Sequence, residues 1–202
     1  MTDVTGRLSS AVVLFVAAVA VSGSAGAHVV GGAADGFVSG FLHPLMGLDH
    51  ILAMVTVGLW GAQLERPAIW LLPLVFPVLM AFGGFLGLVG MPLPAVEVGI
   101  SASAIVLGMA VALKARPALW VCIVLVAGFA VFHGHAHGAE LEHGTDPMSY
   151  SLGFVVATGL LHALGILIGG LNYWTVGERV VRAMGGVIVV AGLVFLFFAL
   201  TA

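Results

Sequence analysis

Six apolar runs of about twenty residues, near 38–63, 67–89, 94–113, 117–139, 148–170 and 178–200, dominate this chain. A helix of that length matches the ~30 Å hydrocarbon core of a bilayer. Six Lys/Arg and nine Asp/Glu make only 7% of the 202 residues charged, against roughly 25% in a soluble domain. So few charges cannot coat a globule, which excludes a soluble enzyme, a nucleic-acid-binding protein and a disordered chain. The net charge of −3 leaves no basic footprint for nucleic acid. A single cysteine, Cys122, excludes an intramolecular disulfide and a thiolate-rich metal site. The expectation is an all-α polytopic protein with the lipid bilayer as its solvent, built as one six-helix transmembrane domain over residues 28–202.

Residues 1–27 read as an address. Arg7 precedes the apolar run Ala11–Val21, which is too short to span, and Ala25-Gly26-Ala27 fits a signal-cleavage pattern. A retained first helix is the alternative. Cleavage after Ala27 makes His28 the new N-terminus, where α-amine and imidazole together can chelate a metal. Arg66, Lys114, Arg116, Arg179 and Arg182 fall in the loops after spans one, three and five or just inside span six. Asp35, Glu97, Glu140, Glu142 and Asp146 fall on the other side, without Lys or Arg. The positive-inside rule then predicts both ends of the mature chain outside. Pro73 and Pro77 lie inside span two and are expected to kink it. Pairs such as Gly83/Gly87 and Gly165/Gly169 suggest close helix packing.

Polar groups inside lipid are costly and mark function, and here they cluster. Span one carries His43, Asp49 and His50; the two histidines lie seven residues apart, about 20° from eclipsed on a helix. Pro44 is expected to open the regular helix and leave His43 as a hinge at its start. Asp49 can accept an imidazole N–H or act as a ligand. A helix-start histidine among headgroups accounts for His43 alone, but not for Asp49-His50. Span four ends with His133, His137 and Glu140 at i, i+4, i+7, one helix face, and an i, i+4 histidine pair is a known grip for a divalent ion. His135 points the other way and, with Glu142 and His143, reads as hydrated. His50 and His133 both sit ~9 Å from the outer ends of their helices, so the two motifs converge on one layer. Glu97 starts span three on the same side, either as a pathway carboxylate or as a first-turn acid favoured by the helix dipole. His162 lies ~21 Å deep in span five with no acid near it, either a hydrogen-bonded lone histidine or a further station on a path.

Imidazoles with carboxylates suit Ni²⁺, Co²⁺, Zn²⁺ or Fe²⁺. There is no GxxxxGK[ST], so no ATPase is implied within the chain. Other classes remain: a b-type haem electron-transfer protein with His50 and His133 as axial ligands, a metal sensor or docking subunit, and an intramembrane hydrolase using Ser101 or Ser103.

The pattern His43-Pro44-x-x-Gly47-x-Asp49-His50, with Phe132-His133-Gly134-x-Ala136-x-Gly138-x-Glu140, resembles the HupE/UreJ family of bacterial nickel permeases. The likeness extends to Gly36-Phe37, Leu52-Ala53-Met54, Gly58-Leu59-Trp60 and Leu93-Pro94-x-x-Glu97. It implies a non-enzymatic secondary importer or facilitator in the bacterial inner membrane, with the motif face periplasmic. It also implies Ni²⁺ or Co²⁺ as transported ion rather than prosthetic group, delivered toward hydrogenase or urease. The resemblance implies function for His43, Asp49, His50, His133 and Glu140 and favours His28; helix spacing adds His137 to the site, with His28, Glu97 and His162 as a second tier. No ATPase subunit and no nucleic acid are implied as partners.

Overall fold

The computed structural model describes residues 33–141 and 145–201. The segment 1–27 read as a signal, together with His28, Glu142 and His143, lies outside the described residues. Within them the chain is helical: α1 (Ala33–Met46), α2 (Leu48–Leu64), α3 (Ala68–Leu88), α4 (Val96–Ala112), α5 (Leu119–Ala139), α6 (Pro147–Gly169), a 3₁₀ turn (Gly170–Tyr173) and α7 (Thr175–Thr201). Asp146 caps α6 by accepting from the Ser149 N–H, and Pro147 occupies its first turn, where no N–H is needed.

Four of these segments are long and apolar enough to cross a membrane: α3, α5, α6 with its 3₁₀ turn, and α7. The α1–α2 pair adds a fifth if counted as one broken span, and α4 is a shorter apolar helix of 17 residues. Helix α3 shows why such segments belong in lipid. Its Leu72, Phe76 and Met80 are buried, while Trp70, Leu74, Val78 and Phe82 form an exposed apolar stripe on the opposite side.

The first expected span is corrected by the structure. It is not one helix over 38–63 but two, bent by 82° at Gly47. Pro44 does not open the regular helix; it lies within the last turn of α1. The chain breaks three residues later, where Gly47 is extended (φ −99°, ψ 119°) and its carbonyl accepts from Ile51 N–H to start α2. His43 and His50 therefore sit on different helices, and their seven-residue spacing places no stripe on a shared face. The other spans keep their expected limits within about three residues. Pro73 and Pro77 leave α3 as one element.

Helix α2 is central: every residue from Ala53 to Gly61 is buried, and it touches α1, α3, α4, α6 and α7. Glycines bring the backbones together, as expected in lipid. Gly83 of α3 lies on the Val131 carbonyl of α5, and Gly134 of α5 on the Met80 carbonyl of α3. Gly165 meets Gly58 across α6 and α2, and Gly169 lies on Ala62. At one end of the bundle Lys114 pairs with Glu178 (2.8 Å), Arg116 donates to the Gln63 carbonyl (2.9 Å), and Arg182 donates to the Ala112 carbonyl (2.8 Å). Basic residues from separate loops thus gather where α2 and α4 end and α5 begins. The polar motifs lie at the opposite end.

Candidate metal centre

The last turn of α1, the first turns of α2 and α4, and the last turns of α5 meet at that opposite end. They bring together His43, Asp49, His50, Glu97, His133, His137 and Glu140. Each side chain arrives for a local reason. The extended residue at 47 turns the chain so that Asp49 and His50 fold back over it. His133 and His137 occupy one stripe of α5, while Gly134 and Gly138, one residue on, form the adjacent stripe that seats α5 on α3.

His50 Nδ1–H donates to Asp49 Oδ1 at 2.9 Å, leaving Nε2 as a lone pair that is buried and without a partner among the described residues. Ser103 Oγ donates its one proton to the Ile100 carbonyl at 2.6 Å, because a carbonyl oxygen can only accept. The 2.9 Å contact between Ser103 Oγ and His133 Nε2 must therefore be donated by the imidazole. The lone pair of His133 is thereby assigned to Nδ1, which is buried and unpartnered as well. His137 Nδ1 and His43 Nε2 share a hydrogen bond of 2.9 Å, and His137 Nε2 is the third orphan.

These rings are in mutual contact. The His50 centroid lies 5.1 Å from that of His133 and 4.3 Å from that of His137, and His43 lies 4.6 Å from His137. His43, His137 and Glu140 each offer one ligand atom, all within 4.8 Å of one another. His43, His137 and Glu140 thus form an outer group, and the inner set Asp49, His50 and His133 lies against it through the His50–His137 ring contact. Exposure falls along the same line, from the exposed Glu140 through the part-exposed His43 and buried His137 to His133, which is fully buried. Asp49 and Glu97 line one open cleft of about 420 Å³ between α4 and the end of α7. The arrangement can strip water from a divalent ion stepwise, replacing it with imidazole nitrogen and carboxylate oxygen.

His162 is not brought to this cluster; the ring of Phe76 stands between it and His133. His135 is turned away, as its spacing predicts. It is buried rather than hydrated, donating from Nε2 to the Met91 carbonyl at 2.7 Å. Two participants carry no sequence signature as site residues. Tyr150 and Phe154 wall the His43/His137 pair, with centroids 5.8 Å and 6.1 Å from His43. Ser103 stands out in sequence only as a polar residue in an apolar span. It sits beside His133 but directs its proton away from the ring, the reverse of a nucleophile–base pair.

A family model described as HupE / UreJ protein matches residues 16–195. Protein HupE of Rhizobium leguminosarum bv. viciae is 43% identical over 176 residues, which is 87% of this chain and 92% of that protein. No solved structure matches.

Proposed function

The chain belongs to the HupE/UreJ family, and from that premise we propose that it carries a divalent transition-metal ion inward across a bacterial plasma membrane. Ni²⁺ is the first choice and Co²⁺ the second, with hydrogenase or urease metallation as the use. The observation that carries this reading is that three histidines in ring contact through His50 each keep one buried nitrogen without a partner among the described residues, His50 Nε2, His133 Nδ1 and His137 Nε2. Buried polar atoms are normally satisfied, so three orphans around one ring contact point to an ion they all serve. Asp49 and Glu140 supply two negative charges, which makes dehydration of a dication in an apolar surrounding tolerable. Direct contact of His50 with both His133 and His137 favours an ion over a haem, whose plane needs a slot between its axial rings.

In this reading the α1–α2 pair counts as one span, giving six with α3 to α7. Both ends of the mature chain and the metal cluster are periplasmic. The cluster of basic residues at the far end of the bundle supports that orientation. Ion transfer needs no ATP. A membrane potential contributes ~2.3 kcal/mol per charge per 100 mV, hence ~7 kcal/mol for a dication at roughly 150 mV, or about five decades of accumulation.

The test is uptake into proteoliposomes of Ni²⁺, Co²⁺ and Zn²⁺ under an imposed inside-negative potential. Potential-dependent Ni²⁺ uptake that is lost in Asp49→Ala is the expected result. Tight binding without uptake would replace the transporter by a sensor or docking subunit. Orientation is read by labelling single cysteines in a Cys122→Ala background, with Asp146→Cys reacting from the periplasm and Arg116→Cys only from the cytoplasm.

A further inference from the structure

His162 is 1% exposed, and neither of its ring nitrogens has a hydrogen-bond partner among the described residues. A neutral imidazole carries one donor and one acceptor, and leaving either unmade in an apolar interior is destabilising. Thr158, one turn earlier on the same face of α6, is fully buried, and its Oγ1 is orphaned too. That is unusual, since a helical threonine ordinarily bonds to the carbonyl four residues back. Across from them, the carbonyl of Pro73 faces the His162 ring without reaching hydrogen-bonding geometry on either nitrogen. That carbonyl has no helical partner, because residue 77 is a proline and has no N–H. The Thr158 hydroxyl, one edge of the His162 ring and the Pro73 carbonyl therefore gather where α6 meets α3. The buried phenyl of Phe76 touches both this place and the outer cluster, its centroid 5.7 Å from that of His133 and 5.4 Å from that of His162.

We propose that His162, Thr158 and the Pro73 carbonyl form a second, transient station for the transported divalent ion, on the inner side of Phe76. The proposal rests on the outer cluster being where the ion first binds. The two stations differ in charge. Asp49, Glu97 and Glu140 surround the outer one, whereas the inner one offers an imidazole, a hydroxyl and a carbonyl without a carboxylate. A dication there keeps its full charge and is held weakly. Conduction through successive sites requires that weakness at the exit, because a site that binds too well does not release. The donor set of one nitrogen and neutral oxygens suits a partly hydrated ion of borderline softness.

The experiment uses the full-length protein in proteoliposomes under an inside-negative potential, with Ni²⁺ uptake and Ni²⁺ titration measured on the same preparations. His162→Phe keeps an aromatic ring but removes both nitrogens. It is expected to lower the initial uptake rate by about tenfold or more while outer-site affinity stays within about twofold. His162→Cys is expected to recover part of the rate and to shift preference from Ni²⁺ toward the softer Cd²⁺, which a packing role would not produce. Thr158→Val, nearly isosteric, is expected to slow uptake with binding unchanged, and it carries the test if the phenyl variant does not fold. Wild-type rates in His162→Phe or in Thr158→Val would overturn the inner station, as would an unshifted ion preference in His162→Cys. Absence of potential-dependent uptake by the wild-type protein itself would instead overturn the transporter reading and the station with it.

Discussion

Gly47→Ala tests how strongly the ion site depends on the turn between α1 and α2. The backbone at this residue is extended, within reach of any L-residue, so alanine introduces no torsional strain. It also reduces the freedom of the unfolded chain, a gain of about 0.4–1 kcal/mol where the native conformation is compatible. A methyl placed there lies 2.8 Å from both Asp49 Oδ1 and His50 Nδ1, against the 3.4 Å at which ordinary contact begins. Both atoms must retreat by about 0.6 Å, and they are the two ends of the 2.9 Å Asp49–His50 hydrogen bond. A hydrogen bond to a charged group contributes about 1.5–3 kcal/mol, so opening this one is expected to weaken Ni²⁺ binding by roughly ten- to a hundredfold. Thermal unfolding should fall as well, but by less than loss of the bond alone would give, because the gain at residue 47 offsets part of it. Calorimetric Ni²⁺ titration and a thermal melt of the same purified sample measure the two effects together. Wild-type affinity in Gly47→Ala would refute the reasoning, because it would mean that the Asp49–His50 pair neither needs the space above residue 47 nor holds the ion.

Two histidines two residues apart should give opposite phenotypes. His137→Ala removes the ring touched by His43, His50 and Phe154 and is expected to abolish measurable Ni²⁺ binding in titration. His135→Ala strands the Met91 carbonyl, is expected to cost about 1–3 kcal/mol of stability in thermal unfolding, and should leave affinity within about twofold. On α5, a Cβ at Gly134 would overlap the α3 backbone, so Gly134→Ala is expected to fail in expression as a monodisperse protein. Gly128 has open space around it, and Gly128→Ala should express normally and melt higher, by an amount consistent with about 1 kcal/mol of helix propensity. At Asp146, hydrogen bonds from Ser149 hold the carboxyl below the usual aspartate range. Its contribution to stability is therefore present above that range and lost as pH falls through the lowered value. Melts of wild type and Asp146→Ala should differ at neutral pH and converge on acidification.

What the residues alone determined was what depends on local repetition. Runs of about twenty apolar residues set the helices, the proline and charged breaks set their limits, and an i, i+4 pair set His133 and His137 on one face of α5. Charge alone distinguished the two ends of the bundle; the depth count that put His50 beside His133 started from Pro44, whereas α2 starts at Leu48 and holds His50 in its first turn. The tertiary structure decided everything that depends on which surfaces touch. The 82° bend at Gly47 separates His43 from His50, so that His43 reaches His137 across the bundle instead of sharing a stripe with its neighbour. Ser103 assigns the proton of His133, and Phe76 divides the outer cluster from His162, although neither residue is near its partner in sequence. Helical periodicity fixes an angle about one axis, and it contains nothing about the distance or rotation between two axes. In lipid, where apolar burial does not sort one helix face from another, that relation is set by where backbones can approach closest. Here those places are the glycines that seat α5 on α3 and α6 on α2.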